Sequence, residues 1–255
     1  MPGQGTLYLV PAPLDFGCSA QAPLAEVMPA GTLQVAARLS HWICENAKST
    51  RAYLKRVHEL QPLAQPLQAL ALQELPREVH KKGDHTGGFD ARPLLAPALE
   101  GHDMGLVSEA GMPAVADPGS SVVRAAHALG LPVVPLVGPA SLLLALAASG
   151  LNGQNFAFVG YLPQQPGPRA QRLKELEALA LRDGQTQLFI ETPYRNAAVW
   201  QAMLETLRPG TRVATATGLT LPQARVRSRT VAQWKQEAAQ GAPPADTPAV
   251  FLIGV

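Results

Sequence analysis

From Met104 to Leu151 the chain alternates strand, loop and helix twice over, and this run limits the fold more than any other stretch. Met104-Gly105-Leu106-Val107 is a short apolar run that reads as a strand. Ser108-Glu109-Ala110-Gly111-Met112-Pro113 is a loop, and Asp117-Pro118-Gly119-Ser120 reads as a turn and helix cap. From Ser121 to Leu129, Val122, Val123, Ala126 and Leu129 give a helix an apolar face, and Gly130 stops it. Pro132 to Val137 is the next strand, kept short by its prolines, and Gly138-Pro139-Ala140-Ser141 opens a helix that ends at Gly150. Strand–helix–strand–helix order implies parallel strands joined by right-handed crossovers.

The segment Leu131–Leu151 is almost wholly apolar and long enough to suggest a membrane span. Pro135, Gly138, Pro139 and Ser141 interrupt it, so a strand, a turn and a buried helix are expected, and no membrane partner. The same logic extends along the chain. Leu7–Val10 is a first strand running into Pro11-Ala12-Pro13. His41–Cys44 is a second, followed by a helix from about Ser49 to Glu59, and Ala69–Leu72 is a weak third. Residues 77–89, with His80 and His85, are polar and Gly-rich and read as a mobile loop, either a solvated linker or a lid or polyanion contact. Beyond Val137 the pattern changes. Strands are expected at Phe156–Gly160, Gln187–Ile190, Arg212–Thr217 and Pro248–Ile253, with a loop over Pro163–Arg169 and helices at Arg172–Leu181, Asn196–Leu207 and Val231–Ala239. The expected architecture is therefore α/β in two domains, residues 1–137 with a mostly parallel sheet and 138–255 with a mixed one.

The 255 residues are ample for a buried core, and 47% hydrophobic content argues against extensive disorder. A formal net charge of +2 neither announces nor excludes nucleic-acid binding. Cys18 and Cys44 lack a C-x-x-C partner, which points to reduced thiols in a cytoplasmic protein. The six histidines do not fall at zinc-ligand spacing, so no metal is expected. The N-terminus lacks the basic start and apolar core of a secretory signal. Gly3-Gln4-Gly5 precedes a strand instead of following one, and no P-loop or G-x-S-x-G occurs.

Ligands of α/β sheets sit at the carboxyl ends of parallel strands. Two loops there, Ser108–Gly111 and Gly138–Ser141, are built from unusually small residues. Small side chains let a ligand lie against bare N–H and C=O groups, and each following helix offers unsatisfied N–H groups. That arrangement suits an adenosine. It equally suits tight turns of a well-packed sheet.

Taken in order, several segments resemble the tetrapyrrole methylase superfamily. They are Val10–Pro13, Cys44–Thr50, Leu106–Pro113, Asp117–Gly119, Val137–Ser141, Gly160–Pro163 and Glu191–Arg195. Within it the motifs are most similar to a ribose 2′-O-methyltransferase branch acting on ribosomal RNA of the small subunit. The resemblance implies two α/β domains with a ligand cleft between them, a homodimer, and S-adenosylmethionine as cofactor. It assigns the donor to Pro11, to Ser108, Glu109, Ala110, Gly111, Met112 and Pro113, to Ala140 and Ser141, and to Glu191, Pro248 and Ala249.

Departures from the family pattern cluster in polar motifs. A family Pro-Thr-Pro-Ile-Gly-Asn-Leu reads Pro11-Ala12-Pro13-Leu14-Asp15-Phe16-Gly17 here, and Glu-Asp-Thr-Arg reads Glu45-Asn46-Ala47-Lys48. Met112 stands where Asp or Thr is usual. Arg-Glu-Leu-Thr-Lys is replaced by Thr217-Gly218-Leu219-Thr220-Leu221. The donor loops survive, so the acceptor stays open between ribosomal RNA and a tetrapyrrole or other small molecule, as does a binding protein without catalysis.

A ribose hydroxyl has a high pKa and needs a base or charge stabilisation, for which Glu45 and Lys48 are the candidates. Phosphate contacts would come from Arg51, Lys55 and Arg56, from Arg77, Lys81 and Lys82, or from Arg225, Arg227 and Arg229, which alternate as on one face of an extended segment.

Overall fold

The computed structural model describes residues 3–76, 78–79, 84, 88–237, 243–244 and 246–255. The chain divides into two compact units, one made of Met1–Phe16 and Ala22–Pro139, the other of Gly17–Gln21 and Ala140–Val255.

The first unit holds a wholly parallel sheet of β1 (Leu7–Leu9), β2 (His41–Cys44), β3 (Ala71–Glu74), β4 (Met104–Val107) and β5 (Val133–Pro135), in the order β3-β2-β4-β1-β5. Every residue of the central strand β4 is buried, as a parallel sheet covered on both faces requires. Alternation sorts β2 between two cores: Trp42 and Cys44 pack with Leu33, Leu54 and Val57, whereas Ile43 packs with Leu106 and Val122. The Trp42 ring fits because its β4 neighbour is Gly105, where a Cβ would stand 2.5 Å from the indole.

Helices α1 (Leu24–Val27), α2 (Ala30–Arg38) and α3 (Ala47–Leu60) cover one face of this sheet. Helices α4 (Ala96–Leu99) and α5 (Ser120–Ala128) cover the other. In α3, Thr50, Tyr53, Leu54 and Val57 are buried at the helical spacing of one stripe. The helix starts two residues earlier than its apolar pattern suggests, because Asn46 caps it: its Oδ1 accepts from the N–H groups of Lys48 (2.9 Å) and Ser49 (3.1 Å). The run Leu131–Leu151 divides into β5 and α6 (Ser141–Ser149), and among the described residues no helix is long and apolar enough to cross a membrane.

The second unit holds a mixed sheet of β6 (Phe156–Tyr161), β7 (Thr186–Glu191), β8 (Arg212–Thr217), β9 (Arg225–Thr230) and β10 (Ala249–Gly254), in the order β6-β7-β10-β8-β9. β6 and β7 are parallel. β10 runs antiparallel to both β7 and β8, and β9 antiparallel to β8. Ala145 and Leu146 of α6 pack on Leu188, Ala214, Val250 and Leu252. The alternate residues Phe189 and Phe251 face α7 (Pro166–Asp183), α8 (Asn196–Thr206) and α9 (Val231–Gln236).

Three expectations change. Residues 166–169 are helix, not loop: α7 begins at Pro166, a position where proline's missing N–H has no intrahelical partner to lose. Asp84 is not solvated linker; it is buried and bonded to the start of α5. His80, His85, Arg77, Lys81 and Lys82 lie outside the described residues. Of the basic clusters, Arg56 is spent on a two-pronged pair with Asp15 (3.0 Å each) and on the Ala22 carbonyl. Arg227 and Arg229 both pair with Glu237, and Arg227 also lies over the Trp234 ring.

Candidate functional site

In the first unit, β4 lies between β2 and β1. Both of those strands lead into helices on one face of the sheet, whereas β4 leads into α5 on the other. Chains leaving adjacent strands in opposite directions open a crevice at the carboxyl ends, where α/β sheets bind ligands. The loop after β4, residues 108–119, occupies that position.

Its backbone is tightly held. Gly111 and Ala12 exchange two hydrogen bonds of 2.9 Å each, joining the loop after β4 to the loop after β1. The Glu109 N–H donates to Glu45 Oε2 at 3.1 Å, joining it to the end of β2. Gly111, Ala114, Ala116 and Gly119 all have positive φ, at 72°, 64°, 66° and 137°. For the two alanines this conformation costs on the order of 1 kcal/mol each, and such strain persists only where the surroundings over-determine it. Pro11 is buried, and a Cβ added at Gly138 would stand 2.4 Å from its ring.

Ser108 is 5% exposed, and its Oγ has no hydrogen-bond partner. An orphaned buried hydroxyl costs on the order of 1–3 kcal/mol, so its retention here fits a ligand that supplies the missing bond. Glu109, Ala110 and Met112 are partly exposed, and Gly111 and Pro113 are buried. Of the two candidates for proton chemistry, the structure brings Glu45 to the loop and leaves Lys48 exposed in the first turn of α3.

Sequence reasoning missed Asp117. It reads as a helix cap, yet no side chain of α5's own N-cap residue, Gly119, caps that helix. Burial, and then the charges of Glu45 and Glu109, push the Asp117 carboxyl up to about 7. The signal available was the D-P-G turn beside a small-residue loop; the burial could not be read from it. Among the described residues no group of three His, Cys, Asp or Glu is placed to hold a metal ion.

In the second unit, Ala140 is the N-cap of α6 without a side-chain cap, and Ser141 is its first residue, so the leading N–H groups have no partner within the helix. Elsewhere in this unit Ala249 pairs with Glu191 on one side and Thr217 on the other. Glu191 Oε1 accepts from the Thr192 N–H at 2.8 Å, and its Oε2 lies 2.9 Å from Arg195 Nη2. The Pro248 carbonyl accepts from Gly218 N–H at 3.2 Å. The structure thus gathers Glu191, Pro248 and Ala249 at one end of three strands. Thr220, with φ 71° and a buried, unpartnered Oγ1, follows β8 in the chain.

A wholly parallel sheet in one unit and a mixed sheet in the next define a two-unit α/β protein. The sequence signature of the tetrapyrrole (corrin/porphyrin) methylases matches residues 33–234. The chain belongs to that family.

Among its curated relatives is a ribosomal RNA small subunit methyltransferase I of Mesorhizobium japonicum. It is 39% identical over 149 residues, 58% of this chain and 49% of the relative. The protein of the same name from Micromonospora olivasterospora is 30% identical over 197 residues, 77% of this chain and 54% of the relative. The chain thus spans about half the length of these relatives. Solved structures give the same fold. A methyltransferase CobJ matches with a TM-score of 0.57 at 18% identity, covering 99% of this chain and 94% of that one. A Thermus thermophilus uroporphyrin-III-C-methyltransferase matches at 0.52 and 19%, covering 98% and 94%.

Proposed function

We propose that this protein is an S-adenosylmethionine-dependent methyltransferase whose acceptor is ribosomal RNA of the small subunit. The observation that carries the donor assignment is the over-determined 108–113 backbone with the orphaned Ser108 hydroxyl beside it. The RNA acceptor is carried by the shared name of the curated relatives. The same reading makes the protein a cytoplasmic homodimer, which light scattering tests.

S-adenosylmethionine would supply an activated methyl group on a sulfonium, transferred by in-line displacement. The protein's share is alignment, exclusion of water and handling of one proton. Ser108 Oγ and the main chain of Ala110–Pro113 would hold the donor. Glu45 keeps the loop in place through the Glu109 N–H. Asp117, with its carboxyl near 7, can hold or release a proton at working pH, as a base for the acceptor hydroxyl must. Lys48, exposed at the start of α3, would meet the charge that develops there or an RNA phosphate. The reading also gives Ala140, Ser141, Glu191, Pro248 and Ala249 of the second unit to the donor.

The test has two stages. Calorimetry with S-adenosylhomocysteine compares wild type with Ser108→Ala. The expected result is a five- to twenty-fold loss of affinity with thermal stability unchanged or raised, because the hydroxyl bonds nothing in the protein itself and its burial is a cost. Labelled donor is then incubated with small-subunit RNA and with pigment fractions. Label in the RNA supports the acceptor, label only in a pigment moves the protein to the small-molecule enzymes, and no binding of S-adenosylhomocysteine refutes the whole reading.

A further inference from the structure

We propose that Asp84 is a positioning residue for the donor loop: its carboxylate fixes the turn at Gly119, and through that turn the shape of the backbone around Ala114. The inference rests on the donor assignment above and adds a residue outside the segments that carry the family resemblance.

Asp84 is 4% exposed and carries an unusual number of bonds. Its Oδ2 accepts from Gly119 N–H at 2.9 Å, from Ser121 N–H at 2.8 Å and from Ser121 Oγ at 2.6 Å. Its Oδ1 accepts from Ser120 Oγ at 2.7 Å, and Arg124 Nη2 donates to its carbonyl oxygen. These bonds hold the carboxyl down at about 2 against the cost of burial, so it stays ionised at any working pH.

A helix N-terminus is usually capped from within its own turn, by a side chain at or beside the N-cap. Here the N-cap is Gly119, which has no side chain, and the cap arrives from 35 residues away. The local alternative, Asp117, is left out of the cap. The distant cap therefore does something that a local one would not: it frees Asp117 from helix capping and pins the turn from outside.

The turn in turn touches the ligand loop. Gly119 has a φ of 137°, and a Cβ built on it would stand 3.1 Å from Leu106 Cδ2 and 3.2 Å from the Ala114 Cβ. Ala114 is one of the two alanines held at positive φ, and it follows Pro113 directly. Asp84, Gly119 and Ala114 thus lie in series, a hydrogen bond and then an approach that leaves a Cβ little room, and Ala114 adjoins the 108–113 segment. Because coupling in binding free energy is reciprocal, donor binding should also tighten the Asp84 cap.

The experiment measures S-adenosylhomocysteine affinity by calorimetry on the full chain, at a temperature where every variant is folded. Asp84→Ala should weaken binding at least tenfold, which is about 1.4 kcal/mol. Asp84→Asn, which keeps acceptor capacity on one atom, should fall between Asp84→Ala and wild type. Thr230→Ala removes a comparable cap from α9, where Thr230 and Gln233 form a capping box. It should lower the thermal midpoint and leave affinity unchanged. An Asp84→Ala variant that melts lower yet binds within twofold of wild type overturns the inference and makes Asp84 an ordinary structural cap. Should Asp84→Ala fail to fold, Ser121→Ala removes only the Oγ bond and should weaken binding two- to fourfold; no change there overturns the inference as well. A wild-type chain without affinity refutes the donor assignment instead. In that case hydrogen exchange at the Ala114 and Val115 amides decides: it must speed up in Asp84→Asn if Asp84 shapes the loop.

Discussion

Replacing Asp117 by Asn should change the pH dependence of stability of the first unit in a direction opposite to the usual carboxylate. In the folded protein this carboxyl is pushed from 3.8 to about 7, chiefly by burial. Below about pH 4 both folded and unfolded chains carry the proton, and the shift has no effect on stability. Between about 4 and 7 the folded chain keeps a proton that the unfolded chain releases, so stability falls as pH rises, and above about 7 the full penalty is present. A rise from 3.8 to about 7, at roughly 1.4 kcal/mol for each tenfold change in acidity, gives a ceiling of about 4 kcal/mol. Asp117, Glu45 and Glu109 are all partly in contact with water, which screens the repulsion, so the measured figure should be about 2–4 kcal/mol. Asn keeps the shape and cannot ionise. The assay is urea unfolding between pH 4.5 and 8, read from Trp42 in a background of Trp200→Phe and Trp234→Phe, so that only the first unit reports. Asp117→Asn should exceed the parent by about 1 kcal/mol at most at pH 4.5 and by the full amount at pH 8. A stability difference between the two that is the same at both ends of the range would show that Asp117 is not held neutral by its surroundings.

Three further outcomes follow from packing and charge. Gly105→Ala forces a methyl into the Trp42 ring and should cost about 1–3 kcal/mol in unfolding measurements, with partial recovery when Trp42 is replaced by Leu. Asn46→Ala removes both acceptor bonds at the start of α3 and should lower stability by about 1 kcal/mol with an unchanged denaturant slope. Glu237→Gln releases the charge that occupies Arg227 and Arg229; RNA affinity should rise at low salt, with a log–log salt slope steeper by about 0.7 for each guanidinium that finds a phosphate.

Much of the frame was legible in the chain because its signals are local. β4 is a pure apolar run and was placed at its observed bounds. Asn196 and Gly150 mark helix ends that their neighbours also announce. The loops after β4 and β5 stand out through their small residues. What could not be read is what depends on partners distant in sequence. Nothing near Asp84 says that it is buried, since the residues that bury it begin 35 positions later. Arg56 resembles a phosphate ligand on its helix until Asp15 is found opposite it. Arg227 and Arg229 show the same alternation whether they face RNA or Glu237. The Pro166-Gly167-Pro168 start of α7 reads as loop because helix breakers dominate it, although a first turn tolerates them. Asp117 was visible as a residue and invisible as a chemical state, because its acidity is set by enclosure and by Glu45, far off in sequence.

The position of β10 bears on how the protein is made. In the second unit this strand follows β6 to β9 in sequence and lies in the middle of its sheet, between β7 and β8. Until Ala249–Gly254 leave the ribosome, β6-β7 and β8-β9 are separate ribbons with exposed edges, whereas all five strands of the first unit have emerged once Pro135 has. Synthesis should therefore yield an intermediate with a finished parallel sheet and an open second half, and that half is where a nascent chain would need a chaperone.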